Sequence, residues 1–556
     1  MGVSEDFQGE SWCPLNQPLT WMCPEGHVYK YRRRPLLSSC IFIFCFFIME
    51  RAAVYLLKTF LYVHVERSMS LDRYSPSFGY MLISIFYGVY DLSPIFIAFL
   101  SDTYLGGYKS ISIFGFVFVF GLVLMALCSG TIFFSDPMGP RWCVIVSLLG
   151  LVAGSAGGLV PLLTAFGGAQ FHPQTQTTSG STFFSMIFAS TNVGALIGIV
   201  IALVVYTTME YSYVLLISAG TGMLGWLTFL VGSRLYVDRC VHTDKALRVL
   251  SLVWSCVRKR SFDQNRASQG GAYSESLVDD VVILARLVPI FSCLIPLYLG
   301  QLQVLTTVRT LGYKLARPKG FFGKHMPGEA LLLIEPVTAV ALTFVLGSLV
   351  YPALQRGRQM PTHLTRLTAG AVCICVGFIS MFGIHSWLRD YGSEQEVFES
   401  ISIFVLVGPL VLFAAGQVLV SNSGYELSYS HAPESLKSVS VSTFSLVYSL
   451  GSIVSLVLFT ALQSSIDEPG RLVYGGRSYI HPIATRFDIY FAICGGLCML
   501  SIVGLVLLRR FYEKTRFIKI NRDVERRALE IALKRVRAMT EGSTVAPSTP
   551  PAKILC

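Results

Sequence analysis

Apolar runs of roughly twenty residues, the length a helix needs to cross bilayer hydrocarbon, recur along the whole of this chain. Nothing else in the sequence restricts its fold so strongly. Twelve such runs centre near residues 49, 90, 119, 153, 192, 222, 294, 341, 376, 411, 450 and 496. The 556 residues are 53% hydrophobic and only 14% charged, far less charge than a soluble domain of this length carries. An all-α polytopic membrane protein is the expected class. The first thirty-odd residues are polar and contain Trp, Pro and Cys, so no removable signal peptide is expected there.

The polar segments divide the chain. An N-terminal tail (1–35) ends in KYRRR, and a first group of six spans occupies 36–236. A basic interruption covers 237–280, a second group of six spans follows at 281–508, and a basic tail closes the chain at 509–556. Tails and interruption share one side when the number of spans is even, and the positive-inside rule makes that side cytoplasmic. The basic loop GYKLARPKGFFGKHMP is the exception, because it falls on the other side. The net charge of +11 is thereby assigned to loops facing the cytoplasm, with no nucleic-acid partner expected. Of fourteen cysteines most lie inside spans, Cys40, Cys45, Cys128, Cys373, Cys375, Cys494 and Cys498 among them, and are read as small packing residues. Cys13 and Cys23 lack the spacing of a zinc site, so no metal is expected. There is no glycosylation sequon, and a lone Cys556 is not a prenylation box. The final EGSTVAPSTPPAKILC has a disordered composition.

Six plus six spans around a central loop is the layout of a major-facilitator transporter, whose site lies between two six-helix bundles at the midplane. The turn SDTYLGGYKS after the second span offers Asp102 and Lys109, which can latch a gate or form a solvated turn. YPALQRGRQMPTHLTRLTAG holds the corresponding place in the second half.

Within the first span, FFIMERAAVYLLK places Glu50, Arg51 and Lys58 where a lipid-facing helix has no charge. Each charge at a helix centre costs roughly 2.5–3.5 kcal/mol to insert, so three facing lipid would cost roughly 8–10 kcal/mol. Phe47, Arg51, Val54 or Tyr55, and Lys58 follow a helical period, with Glu50 beside them. One polar stripe facing a water-filled cavity resolves the cost; an internal Glu50 ion pair that only orients helices is the other reading. A small zwitterion suits the stripe. Arg51 offers a planar fork to a carboxylate and Lys58 a mobile point charge.

GGLVPLLTAFGGAQFHP at 157–173, followed by FFSMIFASTNVGALIG at 183–198, resembles the proton-coupled oligopeptide transporter family. So do the first-span stretch, LSPIFIAFLSDTYLGGYKS and GQVLVSNSGYELSYSHAPESLKSVSVSTF, in order along nearly the whole chain. ERAA at 50–53 and YELSYSHAP at 425–433 look most like its peptide/histidine branch. The resemblance implies a major-facilitator fold and places substrate contact on Arg51, Tyr55 and Lys58. It adds Asn192 as a binder of peptide backbone, against the alternative of a helix-packing amide. It adds Gln303 in the seventh span, and Gln417 and Ser421 one turn apart in the tenth. Glu335 falls where the family has a polar residue in the eighth span; it is read as the partner of an ammonium group or as a residue near the membrane edge.

Departures from the family pattern concern its proton machinery. Phe47 stands for the first Glu of E-x-x-E-R, Val160 for the fourth-span base, and Ala169 for the Asp of the FG-[AG]-D-QF pattern. Leu302 replaces a seventh-span acid and Gln417 a tenth-span Glu. Gln cannot carry a titrating proton, and Val cannot pair with a carboxylate. Coupling by H+, if kept, falls to Glu50, Asp91 or Glu335, and a pairing of Asp91 with Lys58 is expected.

The expectation is a secondary transporter of di- and tripeptides, and of histidine, with proton coupling weakened or rewired. The alternative is a transporter-shaped receptor or scaffold whose central loop or basic tail binds cytosolic partners; for the tail, anionic lipid is the competing partner. The branch resemblance implies an endolysosomal membrane. No HExxH, GxSxG, Walker or paired Cys/His pattern supports an enzyme, and no cofactor beyond a coupling proton is expected.

Overall fold

The computed structural model describes residues 19–22, 28–69, 76–129, 144–172, 176–208, 211–238, 243–299, 308–312, 315–318, 326–357, 361–391, 400–430, 437–467, 471–474, 477–480 and 486–511. Residues Met1–Val503 form one compact unit; of the second, Gly504–Cys556, only the last turns of the helix Phe487–Phe511 are described.

Among the described residues twelve helices are long and apolar enough to cross a membrane. The first half holds Ser39–Leu61, Ile85–Leu105, Gly107–Ser129, Val144–Gly168, Thr182–Val205 and Tyr211–Leu235. The second holds Leu277–Tyr298, Gly328–Val350, His363–Asp390, Ile403–Tyr429, Val439–Leu462 and Phe487–Arg510. The protein is an integral multi-pass membrane protein.

Within the first bundle the first helix packs between the fifth and sixth, the second on the fourth, and the third on the sixth. Hydrocarbon offers no hydrophobic force between helices, so close approach depends on small residues. Gly194 and Gly198, four apart on the fifth helix, supply it. A Cβ on Gly194 would meet the Ile48 carbonyl, and one on Gly198 the Ala52 carbonyl. The first helix is thereby held by its backbone immediately on either side of Glu50 and Arg51. In the second bundle the tenth helix packs on the eighth and ninth. The two bundles meet where the second and fourth helices cross the eleventh and where the fifth meets the eighth.

The interruption at 237–280 is itself folded. A helix at Thr243–Lys259 packs Val249, Leu252 and Cys256 onto Val278 and Val281, at the start of the seventh-span helix Glu275–Leu294. Arg266 then binds Asp263, Glu275 and Asp279, each at 2.8 Å. Burial opposes the charge on Arg266, but the three carboxylates outweigh it and hold the guanidinium more firmly protonated than usual. Hydrogen bonds from Ser268 first, then from Arg266, pull the Glu275 carboxyl down to about 2.

Two features depart from the sequence expectation. The all-helical reading omits two antiparallel hairpins, Leu19–Met22 with Val28–Tyr31 and Arg471–Tyr474 with Arg477–Ile480. The first seats Tyr31 edge-on against His172, and Gln176 Nε2 donates to the Arg32 carbonyl at 2.9 Å. Hydropathy does not see such short polar pairs. Cys128 is disulfide-bonded rather than a lone packing thiol. It ends the third helix at the face opposite the 237–280 segment, where its burial in the apolar run conceals that role in the sequence. The tail beyond 511 and Leu302 lie outside the described residues.

Candidate functional site

Where the bundles meet, a cavity opens with about 1310 Å³ of atom-free space, lined by both halves of the chain. Its first-bundle wall carries Arg51, Tyr55, Lys58, Asp91, Val160 and Asn192; its second-bundle wall carries Glu335, Gln417, Ser421, Tyr425, Tyr448 and Ser452. Eight sequence-assigned residues therefore converge on one space. Gln303 lies outside the described residues.

Arg51 is 6% exposed and Glu50 is fully buried. Arg51 Nε donates to Glu50 Oε2 at 2.6 Å and Nη2 to Glu50 Oε1 at 2.5 Å. Nη1 donates to the Tyr90 hydroxyl at 2.6 Å. One face of the guanidinium fork is therefore occupied by the adjacent residue, leaving one N–H on each terminal nitrogen. Glu50 itself is absent from the cavity wall. Phe47, which the helical period places on the polar stripe, is buried in the apolar core of the first bundle instead, and of Val54 and Tyr55 it is Val54 that joins that core. The stripe narrows to Arg51, Tyr55 and Lys58, because the face above Arg51 packs on neighbouring helices.

Lys58 Nζ lies 3.7 Å from the ring centroid of Tyr90, 4.6 Å from Tyr87 and 5.7 Å from Phe86. The expected ion pair with Asp91 is not formed. Aromatic faces attract the ammonium through their quadrupoles and take its place. Asp91 instead accepts from Ser452 Oγ of the eleventh helix at 3.4 Å. The turn before it has a local cause. Pro94 cannot donate to the carbonyl of Tyr90, and Ser93 Oγ does so in its stead at 3.0 Å.

Asn192 Nδ2 donates to the Phe188 carbonyl one turn back at 2.8 Å, which fixes the amide on the cavity face. Glu335 faces the cavity from the first turn of Ile334–Val345. Ser421 Oγ is 2.7 Å from the Tyr448 hydroxyl and 3.5 Å from that of Tyr298. The Tyr298 and Tyr448 rings lie 3.8 Å apart. Sequence reasoning found Ser421 but missed Tyr298, Tyr448 and the rings around Lys58. A signal was present: Ser445, Tyr448 and Ser452 recur at helical spacing through an apolar span, as do Tyr87, Tyr90 and Asp91.

On the side of the 237–280 segment, Tyr429 closes the space between bundles. Its ring lies 4.6 Å from Phe184, and a Cβ added to Gly168 would come within 2.8 Å of its hydroxyl. At the other side, the turn Gly328–Leu333 meets the fifth helix. Asp102 is half-buried, and Lys109 is exposed without an ion pair among the described residues, so the two form no latch with each other in this conformation. The corresponding second-half turn does hold one. Arg366 Nη1 lies 3.1 Å from Glu426 of the tenth helix, and His363 lies 3.7 Å from the same carboxylate. Val160 presents an apolar wall where the family pattern has a base.

Residues 108–468 match the sequence pattern PTR2: POT family. Mouse solute carrier family 15 member 3 is 21% identical over 429 residues, covering 70% of this chain and 72% of that protein. Protein NRT1/PTR FAMILY 8.1 of Arabidopsis thaliana is 20% identical over 497 residues, covering 78% and 87%. A crystal structure of an auto-inhibited POT family peptide transporter matches with a TM-score of 0.66 at 20% identity, over 86% of this chain and 97% of that one. The POT family transporter PepTSo matches with 0.67 at 18% identity, over 86% and 99%. These structures share the fold, that of the major facilitators, and the family match spans well over half of the sequence. The chain belongs to the POT family.

Proposed function

We propose that this protein moves di- and tripeptides across its membrane by alternating access of the central cavity. One observation carries the reading: a cavity between two bundles that offers Arg51 and Lys58 from one half and Glu335 from the other. Cations and carboxylates facing one cavity, Arg51, Lys58 and Asp91 from the first bundle and Glu335 from the second, suit a ligand with a carboxylate at one end and an ammonium at the other. A ligand bridging both walls would favour bundle closure around itself, because only the closed arrangement lets both ends be paired. Tyr429 against Phe184 and Gly168 is the contact that must open on one side, and the Gly328–Leu333 turn against the fifth helix the one on the other.

Proton coupling is rewired in this reading. Val160 and Gln417 cannot take part, which leaves Glu50, Asp91 and Glu335 to bind H+. Histidine as a further substrate and an endolysosomal membrane rest on ERAA and YELSYSHAP and their likeness to the peptide/histidine branch. The test is uptake of labelled dipeptides into proteoliposomes with and without an inward proton gradient. Saturable uptake is expected, with modest acceleration by the gradient. Strong gradient-driven accumulation in a protein carrying Glu50→Gln, Asp91→Asn and Glu335→Gln together would sink the coupling assignment.

A second reading, a transporter-shaped receptor for a cytosolic partner, is favoured by one surface. The Thr243–Lys259 helix exposes Trp254, Val257 and Val253 beside Arg258 and Lys259. Binding of dipeptides by the purified protein, read as a thermal shift, separates the two readings.

A further inference from the structure

The cavity charges do not balance for a neutral zwitterion. Arg51 is matched by Glu50 through two hydrogen bonds. The remaining charged groups on the wall are Lys58, Asp91 and Glu335, one formal positive charge against two negative when neither acid carries a proton. The carboxylates come from opposite bundles, Asp91 on the second helix and Glu335 on the eighth. Among the described residues neither forms an ion pair; Asp91 has a serine partner. A dipeptide with uncharged side chains brings one ammonium and one carboxylate, which satisfies Lys58 and one acid and leaves the other unpaired in a partly desolvated space.

We propose that the cavity selects ligands of net positive charge, with Asp91 setting the preference through a second ammonium or guanidinium opposite Glu335. This rests on the peptide-transport reading and names the substrate class within it: peptides with a basic side chain. An independent feature agrees. The walls beside the acids are rich in aromatic faces, with Tyr55, Tyr87, Tyr90, Tyr425 and Tyr448 all lining the space. Such faces favour cations, and the ammonium of Lys58 already sits against two of them. The wall that family likeness would make basic is Val160, so no second cation opposes a positive ligand there.

The test compares three dipeptides of similar size on the purified full-length protein: Ala-Lys, Ala-Ala and Ala-Glu. Affinities are read by competition against a labelled dipeptide, with wild type, Asp91→Asn and Glu335→Gln each checked for monodispersity. Ala-Lys is expected to bind about tenfold tighter than Ala-Ala, the scale of one extra charge pair at a partly screened distance, and Ala-Glu weakest. Asp91→Asn should collapse the Ala-Lys to Ala-Ala ratio toward unity. Glu335→Gln serves as the second variant, because removing either acid restores the balance and should shrink the same ratio. Equal affinities for Ala-Lys and Ala-Ala in the wild type overturn the charge inference and leave peptide transport standing. A ratio unmoved by Asp91→Asn overturns the assignment of Asp91, whatever Glu335→Gln does. Failure of all three peptides to bind a folded protein overturns peptide transport and this inference together.

Discussion

Arg51 is bound on two nitrogens by Glu50, its immediate neighbour in the chain. Consecutive residues on a helix point about 100° apart, so the guanidinium must turn back along its own helix to make the contact. Tyr90 of the second helix takes a third N–H and fixes the turn. The backbone beside the pair is pinned to the fifth helix at Gly194 and Gly198. The pair thus ties three helices of the first bundle together at the edge of the cavity, and only the outer N–H groups of Arg51 are left for a ligand.

Removing Glu50 alone should therefore destabilise the protein. Breaking a buried pair costs about 3–5 kcal/mol, because the partner's charge is left uncompensated. Glu50→Ala is expected to lower the midpoint of thermal unfolding in detergent substantially. Glu50→Leu combined with Arg51→Met should recover most of the loss, since the site is then apolar and filled. A double variant no more stable than Glu50→Ala would show that the pair is not the source of the effect.

Lys58 should act on the carboxylate end of a peptide. Among the described wall residues it is the cation that no carboxylate holds, and its aromatic contacts leave the charge unneutralised. Lys58→Gln is expected to weaken binding of a free dipeptide by roughly tenfold or more, the range of a charge-assisted hydrogen bond. The same dipeptide with an amidated C-terminus should bind the two proteins about equally. Equal losses for both peptides would place Lys58 in a structural role.

The twelve helices, the two-bundle layout and eight of the cavity residues were legible in the sequence, for physical reasons. A bilayer forces apolar length, and a charge within that length must face water or a partner. Arg51, Lys58, Asp91 and Glu335 stand out for that reason. Phe47 was misplaced, and the choice between Val54 and Tyr55 stayed open, because helical period identifies a face but not how wide a neighbour covers it. Tyr298 and Tyr448 were missed because an aromatic residue in an apolar span reads as core until a second helix brings a hydroxyl to it. The fold within 237–280 was hidden for the opposite reason. Its charges read as solvated, whereas Arg266 gathers three carboxylates from residues up to 13 apart in the chain.

That cluster sets a pH window for the linker. The Glu275 carboxyl is depressed from the ordinary 4.5 to about 2. A depressed acid stabilises the fold above its unfolded value and loses that contribution as pH falls through the folded one. Pepsin cleavage within 243–280 should therefore stay slow at pH 5, rise below about 4.5 and be fastest near 2, relative to cleavage in the other loops. Arg266→Ala should open the same segment to trypsin at neutral pH. A linker equally resistant in that variant would mean that its small apolar core, Val249, Leu252 and Val278, holds it unaided.

The gate at Tyr429 permits the most direct test of alternating access. Gly168 lies against the Tyr429 hydroxyl so closely that a Cβ would fall 2.8 Å from it, and the Phe184 ring packs tilted against the same ring. Leucine at 168 adds more bulk than the contact can absorb, and overpacking of this kind costs about 1–3 kcal/mol. Charged to the closed arrangement alone, that penalty shifts the balance between open and closed by roughly 5- to 150-fold. Gly168→Leu should therefore slow dipeptide transport and weaken equilibrium binding by no more than that same factor, since the cavity residues are untouched. Tyr429→Ala removes the clashing ring, so the double variant should regain a large part of the transport rate. Binding lost beyond that factor in Gly168→Leu, or no rescue by Tyr429→Ala, would place the defect in folding of the fourth helix rather than in the gate.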